Sequence, residues 1–304
     1  MTDHMKSFEI KGIIPAMVTP FHTDESVNLD ALRQLVNHLV DGGVQGLFPT
    51  GSQGEFYALS PSECQRIWEV VVEEADGRVP VYAGTGAITT QQVIELNRMA
   101  ERAGIQAVSV ITPYFITPTQ EELYRHYVTI ADATSLPVIL YSNPGRTGGL
   151  TLSAHLVARL AAHPNIVGIK DSSGDFSLTM AYLSSRPDDF TVLLGRDTLI
   201  YAGLVHGAEG AITATANAAP GVVAAIYRAF LAGNLPLALE AQERLAPLRH
   251  AFTFGTFPVV VKEALTMLGI AAGPARGPVG PMAPEQREQL RRVLVGMGLI
   301  AEAA

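Results

Sequence analysis

Asn165-Ile166-Val167-Gly168-Ile169-Lys170-Asp171-Ser172-Ser173-Gly174 reads as a short buried strand, apolar and β-branched, that ends on a lysine and turns at once into a polar, glycine-terminated loop. Burying an ammonium costs several kcal/mol unless it is paired, so a lysine there tends to give up its proton. The neutral amine is a nucleophile that condenses with ketones and aldehydes. Two plainer readings stand beside this one: the lysine stem covers the strand while its head reaches water, or the ammonium pairs with the adjacent Asp171.

Outward from that strand, strand-like and helix-like segments alternate with short breaks, the pattern of parallel βαβ units. Strands are expected at 12–19, 46–49, 79–83, 107–111, 138–141, 191–195 and 210–214, with the Lys170 strand sixth in order. Between them, an apolar stripe of Leu29, Leu32, Leu35, Val36, Leu39 and Val40 predicts a helix over 28–41, stopped by Gly42-Gly43. Ser60-Pro61 with Glu63, and Thr119 with Glu122, spell capping boxes that start two more helices, and further helices fit 90–103 and the stretch from Ser153. Eight such units predict an α/β fold of the (β/α)8 barrel kind over residues 1–233. Beyond Gly233 the alternation stops, and helical patterns at 236–250, 258–268 and 285–298 predict a C-terminal helical extension over 234–304.

In such a barrel the active site lies at the C-terminal ends of the strands. Ser52, Tyr114, Tyr141, Arg146, Lys170, Gly195 and Thr213 all sit at or just past a strand end and should ring one mouth. The chemistry then distributes roles. Lys170 attacks the carbonyl of a 2-oxo acid, and the resulting iminium draws electrons so that the adjacent methyl carbon loses a proton and attacks an aldehyde. Tyr141, one strand earlier, is the best placed phenol to move protons, and Ser52 can relay one to it. The turn Gly51-Ser52-Gln53-Gly54 offers backbone N–H groups as an anion nest, and Arg146 can hold a second carboxylate through two hydrogen bonds. Taken singly, Tyr141 also suits a core-to-surface tyrosine and Arg146 a surface loop arginine. The glycine turns at 51–54 and 84–87 match no nucleotide motif, lacking both a Gly-Lys-Ser/Thr ending and GxGxxG.

Composition narrows the function classes. The chain of 304 residues is 48% hydrophobic and 16% charged, which excludes a disordered chain. Its net charge of -8 argues against nucleic-acid and anionic-membrane partners. Cys64 is the single cysteine, so no internal disulfide forms, and neither a leader segment at the N-terminus nor a membrane span is read, which suits the cytoplasm. The eight histidines show no HxH or HxxxH spacing, and no metal site is expected. Lysines number four, Lys6, Lys11, Lys170 and Lys262, against 17 arginines, so one inside an apolar strand stands out.

Four motifs resemble a known family over essentially the whole chain: Gly51-Ser52-Gln53-Gly54-Glu55, Ala83-Gly84-Thr85-Gly86-Ala87, Tyr141 with Asn143-Pro144-Gly145-Arg146-Thr147-Gly148, and Gly168-Ile169-Lys170-Asp171-Ser172-Ser173-Gly174-Asp175. Together and in this order they are similar to the dihydrodipicolinate synthase/N-acetylneuraminate lyase family of Schiff-base aldolases. The resemblance implies Lys170 as the Schiff-base residue, Tyr141 as the proton-transferring tyrosine and the Ser52 and Gln53 amides as the seat of the pyruvate carboxylate. It implies a homotetramer acting on a small 2-oxo acid and an aldehyde, with the lysine imine in place of any cofactor. Lys170, Tyr141 and Ser52 are therefore the candidate catalytic residues, and Gln53, Arg146, Gly195, Ile212 and Phe115 the candidate substrate-binding ones.

Departures from the family pattern bear on the substrate. The tyrosine that a neighbouring subunit contributes in authentic synthases is Phe115 here, and Gln53 stands where they have a second threonine, so the hydroxyl chain is broken. Arg146 keeps the position that holds the aldehyde's carboxylate. The Ser-x-Gly-Glu-Phe and Lys-Asp-Ser-x-Gly-Asp patterns look more like 4-hydroxy-2-oxoglutarate aldolases and sugar-acid aldolases or dehydratases. A catalytically silent member that binds a 2-oxo acid is the remaining alternative. Phe56, Pro61, Cys64, Ile88 and Gln92 occupy the positions that bind feedback lysine in regulated synthases, which predicts insensitivity to lysine.

Overall fold

The computed structural model describes residues 9–302; the N-terminal residues on which the absence of a leader was read lie outside that range. Seven strands form one parallel sheet: β1 (Gly12–Pro15), β2 (Tyr82–Gly84), β3 (Ala107–Ile111), β4 (Val138–Ser142), β5 (Ile166–Asp171), β6 (Thr191–Leu194) and β7 (Gly210–Thr213). They lie in the order β1-β7-β6-β5-β4-β3-β2. The gap between the two ends is filled by Leu47 and Phe48, which bridge in parallel to Val81 and Ala16. That pair is the eighth stave and closes the barrel.

The expected strand over 46–49 thus shrinks to two bridging residues. Pro49 has no N–H to extend the ladder, and Pro80 contributes its carbonyl alone, accepting from the Leu47 N–H at 2.9 Å. The same proline delays the next strand, which begins as β2 at Tyr82 and not at 79.

Helices cover the outside of the barrel: α1 (Leu29–Asp41), α2 (Pro61–Ala75), α3 (Thr90–Arg102), α4 (Gln120–Asp132), α5 (Ala154–Ala161), α6 (Phe176–Ser185), α7 (Ile200–Val205) and α8 (Pro220–Leu231). The α1 helix buries Leu32, Leu35, Val36 and Leu39 and ends at Gly42, with Gly43 in the left-handed region at φ 81°. Both expected capping boxes form: Ser60 and Glu63 satisfy each other's backbone N–H at the start of α2, and Thr119 and Glu122 do so at α4. Three further helices follow, α9 (Leu235–Ala251), α10 (Val259–Met267) and α11 (Pro284–Gly296), so the fold is a (β/α)8 barrel with a C-terminal helical extension. Leu245, Leu248, Leu265 and Leu290 of the extension belong to the same buried apolar cluster as Ile13 and Val223 of the barrel. Among the described residues no helix is long and apolar enough to cross a membrane.

A second, smaller cluster fills the barrel itself: Ile14, Phe48, Tyr82, Ile139, Val167, Leu193 and Ile212 are among its members. It plugs the lower barrel, so a chamber is left only toward the strands' C-terminal ends.

Candidate active site

Parallel pairing puts Tyr141 of β4 directly beside Lys170 of β5, and Lys170 beside Leu193 of β6. Both polar side chains point inward above the apolar plug, because residues of one parity share a face. Lys170 is 4% exposed, and its Nζ lies 4.3 Å from the centre of the Tyr141 ring and 5.2 Å from that of Phe48. Neither plainer reading of this lysine survives. Its head lines the cavity inside the barrel and not the outer surface, and Asp171 faces the other way: the carboxylate accepts from the Ser173 N–H at 2.9 Å and from the Thr179 hydroxyl at 2.6 Å. Among the described residues Lys170 makes no salt bridge with any carboxylate.

Burial pushes the Tyr141 phenol up, but the charge of Lys170 outweighs it with help from the Ser52, Asn143 and Ser172 side chains, leaving the phenol below its ordinary range. Asn143 Nδ2 donates to the phenol oxygen at 2.8 Å, which leaves the phenol's own proton free for transfer. Ser52 Oγ is buried beside the phenol, just outside strict hydrogen-bond geometry with any protein atom.

The turn holding Ser52 and Gln53 is rigid. Its ends, Thr50 and Glu55, both have left-handed backbones, at φ 53° and 58°. The Thr19 hydroxyl donates to the Gly54 carbonyl at 2.6 Å, and the indole N–H of Trp68 donates to the Thr50 hydroxyl at 2.7 Å. Gly84 must be glycine here, since a Cβ would sit 2.4 Å from the Thr50 carbonyl oxygen. Both polar atoms of the Gln53 side chain are buried without a partner. An unpaired buried amide is costly, and it marks a place where a polar ligand group fits.

One cavity of about 500 Å³ gathers these groups. Of the residues expected at the mouth, Ser52, Tyr141, Arg146, Lys170 and Gly195 line it, as do the candidate substrate-binding residues Gln53 and Ile212. Tyr114 and Thr213 do not. Thr213 has the wrong parity: Ile212 and Ala214 on either side reach the cavity, so Thr213 points into the helix layer. Tyr114 packs edge-on against Phe56 at 5.7 Å. Phe115 does not reach this chain's cavity either; it stands 96% exposed with φ 73°. Gly195 lines the cavity because nothing larger fits, a Cβ there meeting the Ser172 hydroxyl at 1.9 Å.

Sequence reasoning missed the far wall, formed by Arg196, Asp197, Arg249, Phe252 and Phe257. Arg146 lies over the Phe257 ring, its Cζ 4.4 Å from the centre. Arg196 and Asp197 directly follow Gly195 and were within reach of a strand-end argument. Arg249 on α9 carried no local signal. Among the described residues no three His, Cys, Asp or Glu side chains come together as a metal site would need.

A family model described as the dihydrodipicolinate synthetase family matches residues 9–296. The chain belongs to that family. It is 39% identical over 297 residues to a 4-hydroxy-tetrahydrodipicolinate synthase of Methanopyrus kandleri, covering 97% of this chain and 99% of the relative. Among solved structures, it is similar to the chloride-inhibited dihydrodipicolinate synthase of Acinetobacter baumannii complexed with pyruvate, with a TM-score of 0.93, 37% identity and coverage of 96% and 100%. It is also similar to a prophage protein of the dihydrodipicolinic acid synthase family from E. coli K12 in complex with pyruvate, with a TM-score of 0.92, 32% identity and coverage of 95% and 99%. The chain is thus a lyase-type enzyme of the dihydrodipicolinate synthase kind. The four motifs that carried the resemblance lie at the C-terminal ends of barrel strands.

Proposed function

We propose that this enzyme joins pyruvate to an aldehyde, or releases the two, through an imine on Lys170. The observation that carries the reading is the register pair Lys170–Tyr141: a buried amine without a counter-carboxylate, beside a phenol held below its usual range. The Lys170 amine attacks the keto carbon, water leaves, and an imine forms. The methyl group then loses a proton to give an enamine, whose carbon attacks the aldehyde; water finally releases the product and restores the amine. Tyr141 serves each proton transfer, with Asn143 fixing its oxygen.

The pyruvate carboxylate fits the Ser52 and Gln53 amides and the unpartnered Gln53 side chain, while Arg146 suits a carboxylate on the aldehyde. With the lysine as electron sink, no cofactor is required. Reduction with borohydride in the presence of pyruvate tests the reading: a mass gain located on Lys170 supports it, and an unmodified Lys170 sinks it. Lys170→Ala should abolish adduct and turnover together.

Dehydration of a sugar acid through the same imine is favoured by one feature. Phe115 and Gln53 replace two hydroxyl groups of the synthase relay, which leaves fewer proton carriers for cyclising chemistry. Product analysis separates the two, because an aldol cleavage releases pyruvate and a dehydration keeps the carbon skeleton whole.

A homotetramer suits two sets of exposed apolar side chains. Tyr57, Phe115 and Ile116 are exposed on the loops after the second and fourth staves, and Leu231, Leu235, Leu237 and Leu239 around the α8–α9 connection. In such an assembly Phe115 would reach a neighbouring subunit. Sedimentation at micromolar concentration decides the assembly. A cytoplasmic location fits the lone buried Cys64, whose thiol burial pushes up to about 12.

A further inference from the structure

The cavity wall facing Lys170 carries more positive charge than one carboxylate of an aldehyde would answer. Its lining includes Lys170, Arg146, Arg196 and Arg249, against the single carboxylate of Asp197. Asp197 is 3% exposed and already heavily engaged: Oδ1 accepts from the Ala214 N–H at 3.1 Å, the Thr215 N–H at 3.0 Å and the Thr215 hydroxyl at 2.6 Å. Its other oxygen, Oδ2, faces Arg249 Nε at 3.5 Å. That contact aims the Arg249 side chain without using its two terminal nitrogens.

Arg249 Nε has no hydrogen-bond partner beyond that charge contact, whereas Arg196 is held by a hydrogen bond. Its Nε donates to the Ser172 carbonyl at 3.1 Å, and Gly174 lets the guanidinium lie against the turn, since a Cβ there would be 3.2 Å from that nitrogen. Its terminal nitrogens have no acceptor among the described residues. Two guanidinium groups therefore turn their inner edges to the protein, one through a hydrogen bond and one through charge alone, while their terminal nitrogens have no acceptor among the described residues. Arginine in this arrangement matches the paired oxygens of a phosphate or carboxylate.

The two arginines also mark a boundary. A second hollow of about 530 Å³ shares Arg196, Arg249 and Thr253 with the main cavity and runs on past Ser173 and His250. A substrate whose chain extends away from Lys170 would pass between them.

We propose that Arg196 and Arg249 form a second anion subsite that takes the distal anionic group, phosphate ester or carboxylate, of the aldehyde partner. The subsite rests on the aldolase reading above and deepens it: apart from any carboxylate that Arg146 holds, the partner is an aldehyde with an anionic group at the end remote from the carbonyl.

The test uses the full-length enzyme with pyruvate and matched acceptors, D-glyceraldehyde 3-phosphate against D-glyceraldehyde, and succinic semialdehyde against butanal. The wild type should show kcat/KM at least tenfold higher for an anionic member than for its neutral partner, and the pair with the larger ratio identifies phosphate or carboxylate. Arg196→Gln and Arg249→Lys should each lower that ratio by about tenfold or more, chiefly through KM, as lost paired contacts to an anion do. Borohydride trapping of pyruvate on each variant verifies that the barrel and its lysine are intact. Equal kcat/KM for both members of both pairs, or variants that leave the ratio unchanged while the pyruvate adduct forms, overturns the subsite alone. Failure of the wild type to form the adduct overturns the aldolase reading, and the subsite with it.

Discussion

Lys262→Met should be among the most damaging single changes in the molecule, although Lys262 lies outside the cavity. Its ammonium and the Glu55 carboxylate are both fully buried and meet at 2.6 Å. The same nitrogen donates to the Pro274 carbonyl at 2.6 Å, and the other Glu55 oxygen accepts from the Arg276 N–H at 2.9 Å. Methionine fills the space but leaves a buried carboxylate without its cation and a carbonyl without its donor. Breaking a buried pair from one side costs about 3–5 kcal/mol. The damage should reach function, because Glu55 closes the turn that presents Ser52 and Gln53 and holds its left-handed φ of 58° there. The KM for pyruvate should rise severalfold.

Urea unfolding followed through Trp68, the one tryptophan, reads the stability; its indole bonds to Thr50 in the same turn. Adding Glu55→Gln to Lys262→Met should restore a large part of the loss, as a coupled pair requires. A loss below about 1 kcal/mol in the single variant, or a double variant that shows the plain sum of two losses, would refute the reasoning.

The pair has a pH signature as well. Burial lowers Lys262 most, Glu55 pulls it back up, and Arg276 lowers it further, to about 8 from 10.5. Between those two values the unfolded chain holds one proton more than the folded one. Stability from this residue therefore rises as pH climbs through that window, and Lys262→Met should remove the slope. A depressed lysine and a costly deletion are compatible: the first compares the pair with water, the second compares it with a lone buried carboxylate.

Tyr141→Phe should lower kcat by roughly 10²–10⁴-fold while Lys170 still forms its pyruvate adduct, though slowly; an unchanged kcat would remove Tyr141 from proton transfer. His126, 8% exposed and bonded through Nδ1 to the Thr90 hydroxyl at 2.8 Å, is driven down to about 4 by burial. An unfolded histidine titrates near 6.5, so below that value the unfolded state gains the extra proton and stability falls as pH drops toward 4, by about 3 kcal/mol. His126→Gln should flatten that acid limb in urea titrations, and a limb of unchanged steepness would count against it. L-Lysine at millimolar concentration should leave the aldol rate unaltered, since Phe56, Pro61, Cys64, Ile88 and Gln92 offer no carboxylate or cation to it; measurable inhibition would contradict this.

How much of this was legible in the sequence follows from how local each signal is. The Lys170 strand, the two capping boxes and the α1 stripe each declare themselves within a dozen residues, and all formed where expected. The strand-end rule then located five mouth residues with no family knowledge, because barrel geometry turns sequence order into spatial order. It failed for Thr213 by one step of side-chain alternation and for Tyr114 by the path of a loop, neither of which a strand's end alone specifies. It could not see the Leu47–Phe48 stave as so short, since its limits are set by Pro49, which has no N–H to donate, and by Pro80 on the neighbouring strand, 33 positions away from Leu47.

What stayed hidden is the contribution of the C-terminal helices, and for one physical cause. Arg249 reaches the cavity through a contact with Asp197, and Lys262 reaches the pyruvate turn through Glu55, a separation of 207 positions. Each cation is meaningful only beside its carboxylate, and no window of sequence contains both. Without Lys262, Glu55 would be a buried carboxylate without its cation at the end of the turn proposed to seat pyruvate. Without Arg249, Phe252 and Phe257, the cavity would lack most of the wall facing the amine. In the proposed reaction the barrel strands would supply the covalent chemistry, and the helices that follow would supply both the brace behind the keto acid and, through Arg249, part of the charge facing its partner. Variation in substrate within this architecture should therefore concentrate on α9 and the segment after β6, while the Lys170–Tyr141 pair stays fixed by the register of two central strands.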